Sequence, residues 1–194
     1  MTQSIKMVVV GSPNVGKSSW IISVETGKFP THGIPTVLDD VSILREVDGI
    51  EYSISLWDTL GIEDYNRLRP LSYLQTDVFV LFYSVSSPGI FSSIPTFWKE
   101  ELKLHCPNVP ILLVGGKCDL RYDNDILEEL ERKQLKPISF EEGQEVAKLI
   151  QASGFIECSS ATYKGVETVL QQALQLAIDA RKNTNTNNRQ CICM

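Results

Sequence analysis

The residues from Gly11 to Ser18 are of types and spacing that bind phosphate. They read Gly-Ser-Pro-Asn-Val-Gly-Lys-Ser and fit the pattern G-x-x-x-x-G-K-[ST]. In such a loop, backbone N–H groups at a helix N-terminus form a concave site for anionic oxygens. The Lys17 ammonium would contact the β- and γ-phosphates of a nucleotide, and the Ser18 hydroxyl would bind Mg²⁺. The alternative is an ordinary glycine turn, but a chance match in a chain of this length occurs on the order of one time in a hundred.

A second group of candidate residues follows an alternating run that ends at Trp57-Asp58-Thr59-Leu60-Gly61. Asp58 lies at the end of a predicted strand, where a carboxylate can hold Mg²⁺ through a water molecule. The Gly61 N–H would then be offered to a γ-phosphate. An aspartate in this position is otherwise commonly a turn residue, so the assignment depends on the phosphate loop.

The third group is Gly116-Lys117-Cys118-Asp119, which follows the apolar run Val109–Gly115. The Asp119 carboxylate can accept hydrogen bonds from guanine N1–H and from the exocyclic amine together. Adenine lacks both donors, so an unpaired buried carboxylate would reject it strongly. The stem of Lys117 would lie over the plane of the base.

Six runs of strand length place these groups at strand ends. They are Ile5–Val10, Val41–Val47, Glu51–Trp57, Val78–Val85, Val109–Gly115 and Phe155–Cys158. Asp48-Gly49 between the second and third is a strong hairpin signal, and nearly continuous apolar runs are typical of strands buried on both faces. We predict an α/β fold with a six-stranded, mostly parallel sheet and a site at the carboxyl ends of its strands.

Helical patterns lie between and after these strands. A helix is predicted from Lys17 to near Gly27, and the segment 123–136 predicts a small, charged surface helix outside the core. The last helix has one apolar face, formed by Val166, Val169, Leu170, Ala173, Leu174 and Ala177. From Arg181 the chain is rich in Asn and Thr, which predicts a flexible tail over 181–194.

The overall composition is that of one globular domain. The 194 residues are 43% hydrophobic and 22% charged. A net charge of −6 argues against wrapping of nucleic acid. The five cysteines include no C-x-x-C, so they suggest neither a disulfide framework nor a zinc site.

Further strings carry a resemblance to a known family. They are Ile34-Pro35-Thr36-Val37, Trp57-Asp58-Thr59, Glu63-Asp64-Tyr65, Arg67 to Tyr73, Gln75 to Phe79, His105 to Asn108 and Glu157-Cys158-Ser159. With the three groups above, they make residues 4–180 resemble a small GTPase of the Rho/Rac branch of the Ras superfamily. The helix at 123–136 stands in the place of the Rho-type insert helix. The resemblance implies a P-loop GTPase (G) domain at 1–180 that acts as a GTP-binding switch, with cytoskeletal signalling as the family role.

The resemblance also completes the expected site. Thr36 would hold Mg²⁺ with its hydroxyl and the γ-phosphate with its N–H, and Phe29 would pack edgewise on the guanine. Nucleotide contacts are further implied for Asn14, Val15, Gly16, Ser19, Leu120, Ser159, Ser160 and Ala161. Residues 28–39 and 59–76 would be two switch loops, with effectors docking through 28–41. GTP or GDP with Mg²⁺ would be the ligands of a monomer regulated by exchange factors and a dissociation inhibitor.

The chain departs from the resembled family around the γ-phosphate. Ile62 stands where the family has the glutamine that orients the attacking water, and isoleucine has no polar group for this task. Leu60 replaces a small alanine, and Pro13 replaces the loop glycine nearest an incoming arginine. Gly33 replaces a tyrosine that covers the phosphates, and Gly116 replaces Thr or Asn, which removes a hydrogen bond and adds flexibility. We expect slow hydrolysis, and slower GDP release when Thr is restored at 116.

The last four residues, Cys191-Ile192-Cys193-Met194, fit C-a-a-X with a terminal Met that favours farnesyl. The tail before them carries only three basic residues, Arg181, Lys182 and Arg189. One lipid chain alone gives marginal, reversible binding. We therefore expect prenylation of Cys191 and a cytoplasmic protein held peripherally on a membrane, in the first instance the plasma membrane.

Three functions stay open at this point. The first is a Rho-like switch with slow turnover. The second is a GTP-locked interaction protein with negligible turnover, controlled by its amount, by exchange or by membrane release. The third is an ATP-using P-loop kinase, against which Asp119 and the lack of a lid segment argue.

Overall fold

A computed structural model describes residues 2–31, 41–62 and 67–190, the last seven of these by their backbone alone. The predictions for Gly33, Thr36 and Cys191 lie outside the described residues, as do those for most of the segment 28–41. The sites of Asp58, Ile62 and Asp119 lie within them.

Six strands form one sheet, as predicted. They are β1 (Gln3–Gly11), β2 (Val41–Val47), β3 (Ile50–Asp58), β4 (Val78–Ser84), β5 (Ile111–Gly116) and β6 (Gly154–Glu157). Their spatial order is β2-β3-β1-β4-β5-β6, with β2 and β3 antiparallel and all other neighbours parallel. Asp48 and Gly49 form the hairpin turn with φ of 52° and 75°. Positive φ at both positions matches the twist of the flanking strands.

The part of the chain that the structure describes contains five α-helices. They are α1 (Lys17–Thr26), α2 (Lys99–His105), α3 (Asn124–Arg132), α4 (Phe140–Leu149) and α5 (Val166–Gln190). One core layer lies between the sheet and helices α1 and α5, and a second lies between the sheet and helices α2 and α4. The predicted apolar face of α5 is buried in the first layer. Among the described residues, no helix has both the length and the apolar character to cross a membrane.

Helix α3 lies outside the core, as its charged sequence predicts. Leu130 is its one buried residue, and the Asp123 side chain caps its N-terminus by accepting from the Ile126 N–H at 3.1 Å. The helix ends at Arg132, so it is shorter than the predicted segment 123–136.

The prediction that the chain loses its structure at Arg181 is wrong, because α5 continues to Gln190. The Arg181 guanidinium forms two 2.6 Å hydrogen bonds with the Asp77 carboxylate next to β4. This ion pair connects α5 to the sheet at a position C-terminal to the apolar face of the helix. Once a helix has formed, each added residue gains a backbone hydrogen bond, so it can extend through residues of low helix propensity.

Candidate functional site

The three groups of motif residues meet at one edge of the sheet. Parallel pairing places the carboxyl ends of β1, β3, β5 and β6 on the same side. The phosphate loop follows β1, Asp58 ends β3, and Lys117 to Asp119 follow β5. Residues far apart in sequence therefore surround one site, as expected for an open parallel sheet.

The path of the phosphate loop depends on two glycines. Gly11 has φ 138°, and a Cβ on it would clash with the Phe82 carbonyl. Gly16 has φ 107° and directly precedes α1. Both conformations are rarely open to other residues. The loop therefore needs glycine at both positions to follow this path from β1 into α1.

The Lys17 side chain lies beneath this loop, with 7% of its surface exposed. Its ammonium donates to the carbonyls of Gly11 at 2.8 Å and Ser12 at 3.0 Å. Burial lowers the pKa of Lys17 to about 8, although the charge of Asp58 acts in the opposite direction. A phosphate bound at the loop would add negative charge beside this buried ammonium and would stabilise its charged form.

The two predicted Mg²⁺ ligands within the described residues contact each other. The Ser18 hydroxyl donates to Asp58 Oδ2 at 2.5 Å, and the other carboxylate oxygen accepts from the Thr59 N–H at 3.0 Å. The Thr59 hydroxyl donates in turn to the Val9 carbonyl of β1 at 2.7 Å. A hydroxyl and a carboxylate held this close are oxygen ligands of the kind that Mg²⁺ prefers.

A cavity of about 470 Å³ lies over the phosphate loop. Its lining residues are Pro13, Asn14, Gly16, Lys17, Ser18, Ser19, Thr59, Leu60, Gly61, Ile62 and Lys117. Lys17 and Ser18 supply polar groups, whereas Pro13, Leu60 and Ile62 supply apolar surface. A Cβ on Gly61 would clash with the Gly11 carbonyl, so this position lies directly against the phosphate loop.

An adjoining cavity of about 370 Å³ is suited to a planar base. Its lining residues are Val15, Gly16, Ser19, Phe29, Phe82, Gly116, Lys117, Asp119, Leu120, Cys158, Ser160 and Ala161. Lys117, in the left-handed conformation with φ 57°, borders both cavities, and burial lowers its pKa. Phe29 is 42% exposed at the rim. The two cavities thus share walls, as a nucleoside and its phosphates require.

Asp119 carries the observation that bears on the identity of the base. Its Oδ1 atom is buried and has no hydrogen-bond partner in the part of the chain that the structure describes. An unpaired buried acceptor is costly unless a ligand satisfies it. Guanine offers an N1–H and an amine to such a carboxylate, so the residues fit a guanine nucleotide.

The structure adds detail at two predicted positions near the base, Ser159 and Gly116. Ser159 is fully buried and is not among the lining residues given above, and its hydroxyl accepts from the Thr162 N–H at 3.1 Å. It therefore shapes the turn that carries Ser160. Gly116 belongs to β5 and is buried, and its carbonyl accepts from the Val85 N–H at 3.0 Å.

Sequence reasoning missed several residues of this site. Phe82 and Cys158 form part of the base cavity, and Thr59 joins Asp58 to β1. The predicted strand ends were a usable signal for Phe82, because it lies near the carboxyl end of β4. No comparable signal marked Arg69, whose side chain donates to the Leu60 carbonyl at 3.0 Å.

Comparison with models of protein families matches the Ras family over residues 6–179. This range contains the phosphate loop, Asp58 and Asp119. The chain belongs to the Ras family. Its mostly parallel sheet with flanking helices is the G domain of a P-loop GTPase. Ras-family proteins are GTP-binding switches that bind GTP or GDP, typically with Mg²⁺, and interact with effectors and regulators.

The residues of this Ras-family protein are suited to both ligands. Lys17 and the loop N–H groups would hold the phosphates, and Asp119 would orient the base. Ser18 and Asp58 would hold Mg²⁺, which when bound neutralises charge on the phosphate oxygens. The apolar corner formed by Pro13, Leu60 and Ile62 offers no hydrogen-bonding side chain to an attacking water.

Proposed function

We propose that this Ras-family protein is a Rho-like GTP-binding switch with slow GTP hydrolysis. Helix α3, at Asn124–Arg132, supports the Rho branch by its position between β5 and α4, where the Rho-type insert is expected. The strings from Arg67 to Tyr73 and from His105 to Asn108 support it by resemblance. In this proposal the segment 28–41 docks effectors of cytoskeletal signalling, and exchange factors and a dissociation inhibitor regulate the bound nucleotide.

The composition of the phosphate cavity carries the proposal of slow hydrolysis. Leu60 and Ile62 both border this cavity. Hydrolysis requires an aligned water as well as charge stabilisation. Lys17 and Ser18 remain to stabilise charge, but neither apolar side chain can orient water. GTP binding is therefore retained while turnover is reduced.

Single-turnover phosphate release at saturating Mg²⁺ tests this proposal. We expect an intrinsic rate well below the ordinary Rho-like rate and little acceleration by activating proteins. Ile62→Gln restores a polar group, and we expect a partial gain because Leu60 still crowds the site. The double variant with Leu60→Ala should gain more than the two single changes combined, because neighbours that share a cavity are coupled.

Ile50→Gln is the matched control, since Ile50 has the same 39% exposure as Ile62 but lies at the start of β3, away from the cavity. Its hydrolysis rate should equal that of the unmodified protein. Ordinary Rho-like turnover in the unmodified protein would contradict the proposal, as would a double variant no faster than the control.

A second candidate function is a GTP-locked interaction protein. The same apolar corner favours it, because turnover that is negligible rather than slow leaves the protein permanently in its GTP form. The nucleotide retained after purification separates the two functions. A mixture that converts to GDP over hours supports the slow switch, and GTP that persists until exchange supports the locked protein.

We also propose that a prenyl group on Cys191 holds the protein reversibly on the cytoplasmic face of a membrane. The C-terminal C-a-a-X sequence and the few basic residues before it support this proposal. Cys191→Ser should move the protein entirely to the cytosolic fraction and leave GTP binding unchanged. Cys193→Ala keeps the acceptor cysteine and is the control. Equal membrane fractions for both variants would contradict prenylation at Cys191.

A further inference from the structure

A buried ion pair joins the segment after Asp58 to helix α2. The side chain of Arg69 is 1% exposed and that of Glu101 is 9% exposed. The guanidinium donates to the two Glu101 carboxylate oxygens at 2.9 and 2.6 Å, and its remaining terminal nitrogen donates to the Leu60 carbonyl at 3.0 Å. The Tyr73 hydroxyl donates to the same carboxylate at 2.5 Å. Each part of the Arg69 fork therefore has a defined acceptor.

Trp98 joins this pair to the phosphate loop. The Arg69 guanidinium lies over the Trp98 ring, 4.6 Å from its centroid, and the indole N–H donates to the Ser12 hydroxyl at 3.2 Å. The Ser12 and Ser93 hydroxyls are themselves 3.3 Å apart. One short region, Ser93 to Glu101, thus contacts the phosphate loop and holds Arg69 in place.

The Leu60 carbonyl, which accepts the third hydrogen bond of Arg69, links this ion pair to the nucleotide site. The Leu60 carbonyl and the Gly61 N–H belong to one planar peptide unit, in which they point in opposite directions. A bond that holds the carbonyl therefore also determines where the N–H points. Gly61 borders the phosphate cavity and packs directly on the backbone of Gly11. The Arg69 bond to Leu60 therefore constrains the peptide unit whose N–H belongs to Gly61, a residue that borders the phosphate cavity.

The burial of the Arg69–Glu101 ion pair bears on whether the pair stabilises the fold or positions other groups. Removing an arginine and a glutamate from water is costly, so a buried ion pair is weak evidence for a gain in stability. The same geometry is well suited to positioning, because a guanidinium can hold a carboxylate and a carbonyl at once, whereas a lysine presents a single nitrogen.

We propose that Arg69 is a positioning residue that makes the site distinguish GTP from GDP. By holding the Leu60 carbonyl, it presents the Gly61 N–H to the γ-phosphate, a group that GDP lacks. Glu101 and Trp98 keep the guanidinium in place, and Ser12 keeps the phosphate loop in register with them. The proposal rests on the GTP binding of the Ras family.

Arg69→Lys tests this role, because lysine can keep the ion pair with Glu101 but cannot also hold the Leu60 carbonyl. Release rates are measured by stopped flow with fluorescent GDP and with a fluorescent, non-hydrolysable GTP analogue. We expect release of the triphosphate analogue to become roughly tenfold faster, in line with the loss of one charge-assisted hydrogen bond, and GDP release to change less than about twofold. Arg181→Lys is the control, because Arg181 pairs with Asp77 just before β4, at the opposite end of the strands from the site. This variant should change neither rate.

The selectivity of the effect separates positioning from a general structural role. Equal acceleration of both nucleotides, or no change in either, would overturn the proposal. If the unmodified protein binds neither nucleotide, the failure lies in the GTP binding itself. Trp98→Phe keeps an aromatic ring under Arg69 and removes the bond to Ser12, so it provides a second variant if Arg69→Lys does not fold. It should show the same selective acceleration to a smaller degree, and an unselective effect would count equally against the proposal.

Discussion

The Ser18 hydroxyl, at the start of α1, donates a 2.5 Å hydrogen bond to the carboxylate of Asp58, at the end of β3. The two residues are 40 positions apart in the chain. Asp58 is held from its other side by the Thr59 N–H at 3.0 Å. The carboxylate thus has a defined orientation beside the phosphate loop, with Ser18 as its partner.

Replacement of Asp58 tests whether this pair binds Mg²⁺. Chelation of Mg²⁺ should accelerate GDP release from the unmodified protein. In Asp58→Asn the carboxylate charge is lost, so we expect release in the presence of Mg²⁺ to be at least about tenfold faster and chelation to add little. Asp48→Asn is the control, because Asn tolerates the positive φ of that hairpin turn. An undiminished response of Asp58→Asn to the chelator would exclude this carboxylate from the Mg²⁺ site.

Asp119 should determine the choice of base. Its buried Oδ1 has no hydrogen-bond partner within the described residues, and a bound guanine would supply the donor. Asp119→Asn should weaken GDP binding by about a hundredfold or more and shift preference toward xanthosine diphosphate, whose C2 carbonyl accepts from the new amide. Equilibrium competition between the two nucleotides measures this shift. Asp123→Asn, at the N-terminus of α3, keeps its capping function and should bind as the unmodified protein does. Tight binding of ATP by the unmodified protein would contradict this role.

Lys17 should make nucleotide binding depend on pH. Burial lowers the pKa of the ammonium in the nucleotide-free protein to about 8, and bound phosphates favour the charged form and raise that pKa. Binding therefore takes up protons, and the uptake is larger at pH 8 than at pH 7. Calorimetric titration of GDP in buffers of different ionisation enthalpy measures this uptake. A binding enthalpy at pH 8 that is the same in all buffers would show that Lys17 is already fully charged.

The surroundings of Gly116 reverse the expected effect of Thr at this position. A Cβ on Gly116 would lie 2.8 Å from the Val15 carbonyl and 3.3 Å from Phe82. Val15 belongs to the phosphate loop, so a side chain at 116 must displace backbone that holds the nucleotide. We expect Gly116→Thr to release GDP faster, and Gly116→Ala to lower the free energy of unfolding by about 1–3 kcal/mol.

Gly89→Ala is the control for these variants, because nothing lies within 4 Å of a Cβ there. Its release rate and its unfolding midpoint in denaturant should stay close to those of the unmodified protein. Slower GDP release from Gly116→Thr would show that the loop adapts and that the hydroxyl makes a new contact.

The amino-acid sequence by itself determined the sheet, the phosphate loop and the face of α5. Each depends on a local property: alternation or continuity of apolar residues, glycines where φ is positive, and apolar residues repeated at the helical period. The roles of Asp58 and Asp119 could be predicted because parallel strands end at a common edge, so strand ends alone indicate proximity.

Tertiary structure alone decided the contacts between loops and helices that are distant in sequence. The bonds of Arg69 to Glu101 and Leu60, and the tight approach of Gly116 to Val15, leave no periodic mark in the chain. The continuation of α5 past Arg181 likewise follows an ion pair with a residue 104 positions away. Such contacts depend on how whole elements pack against each other. Because protein interiors are close-packed, a few tenths of an ångström between two elements decide whether a side chain fits.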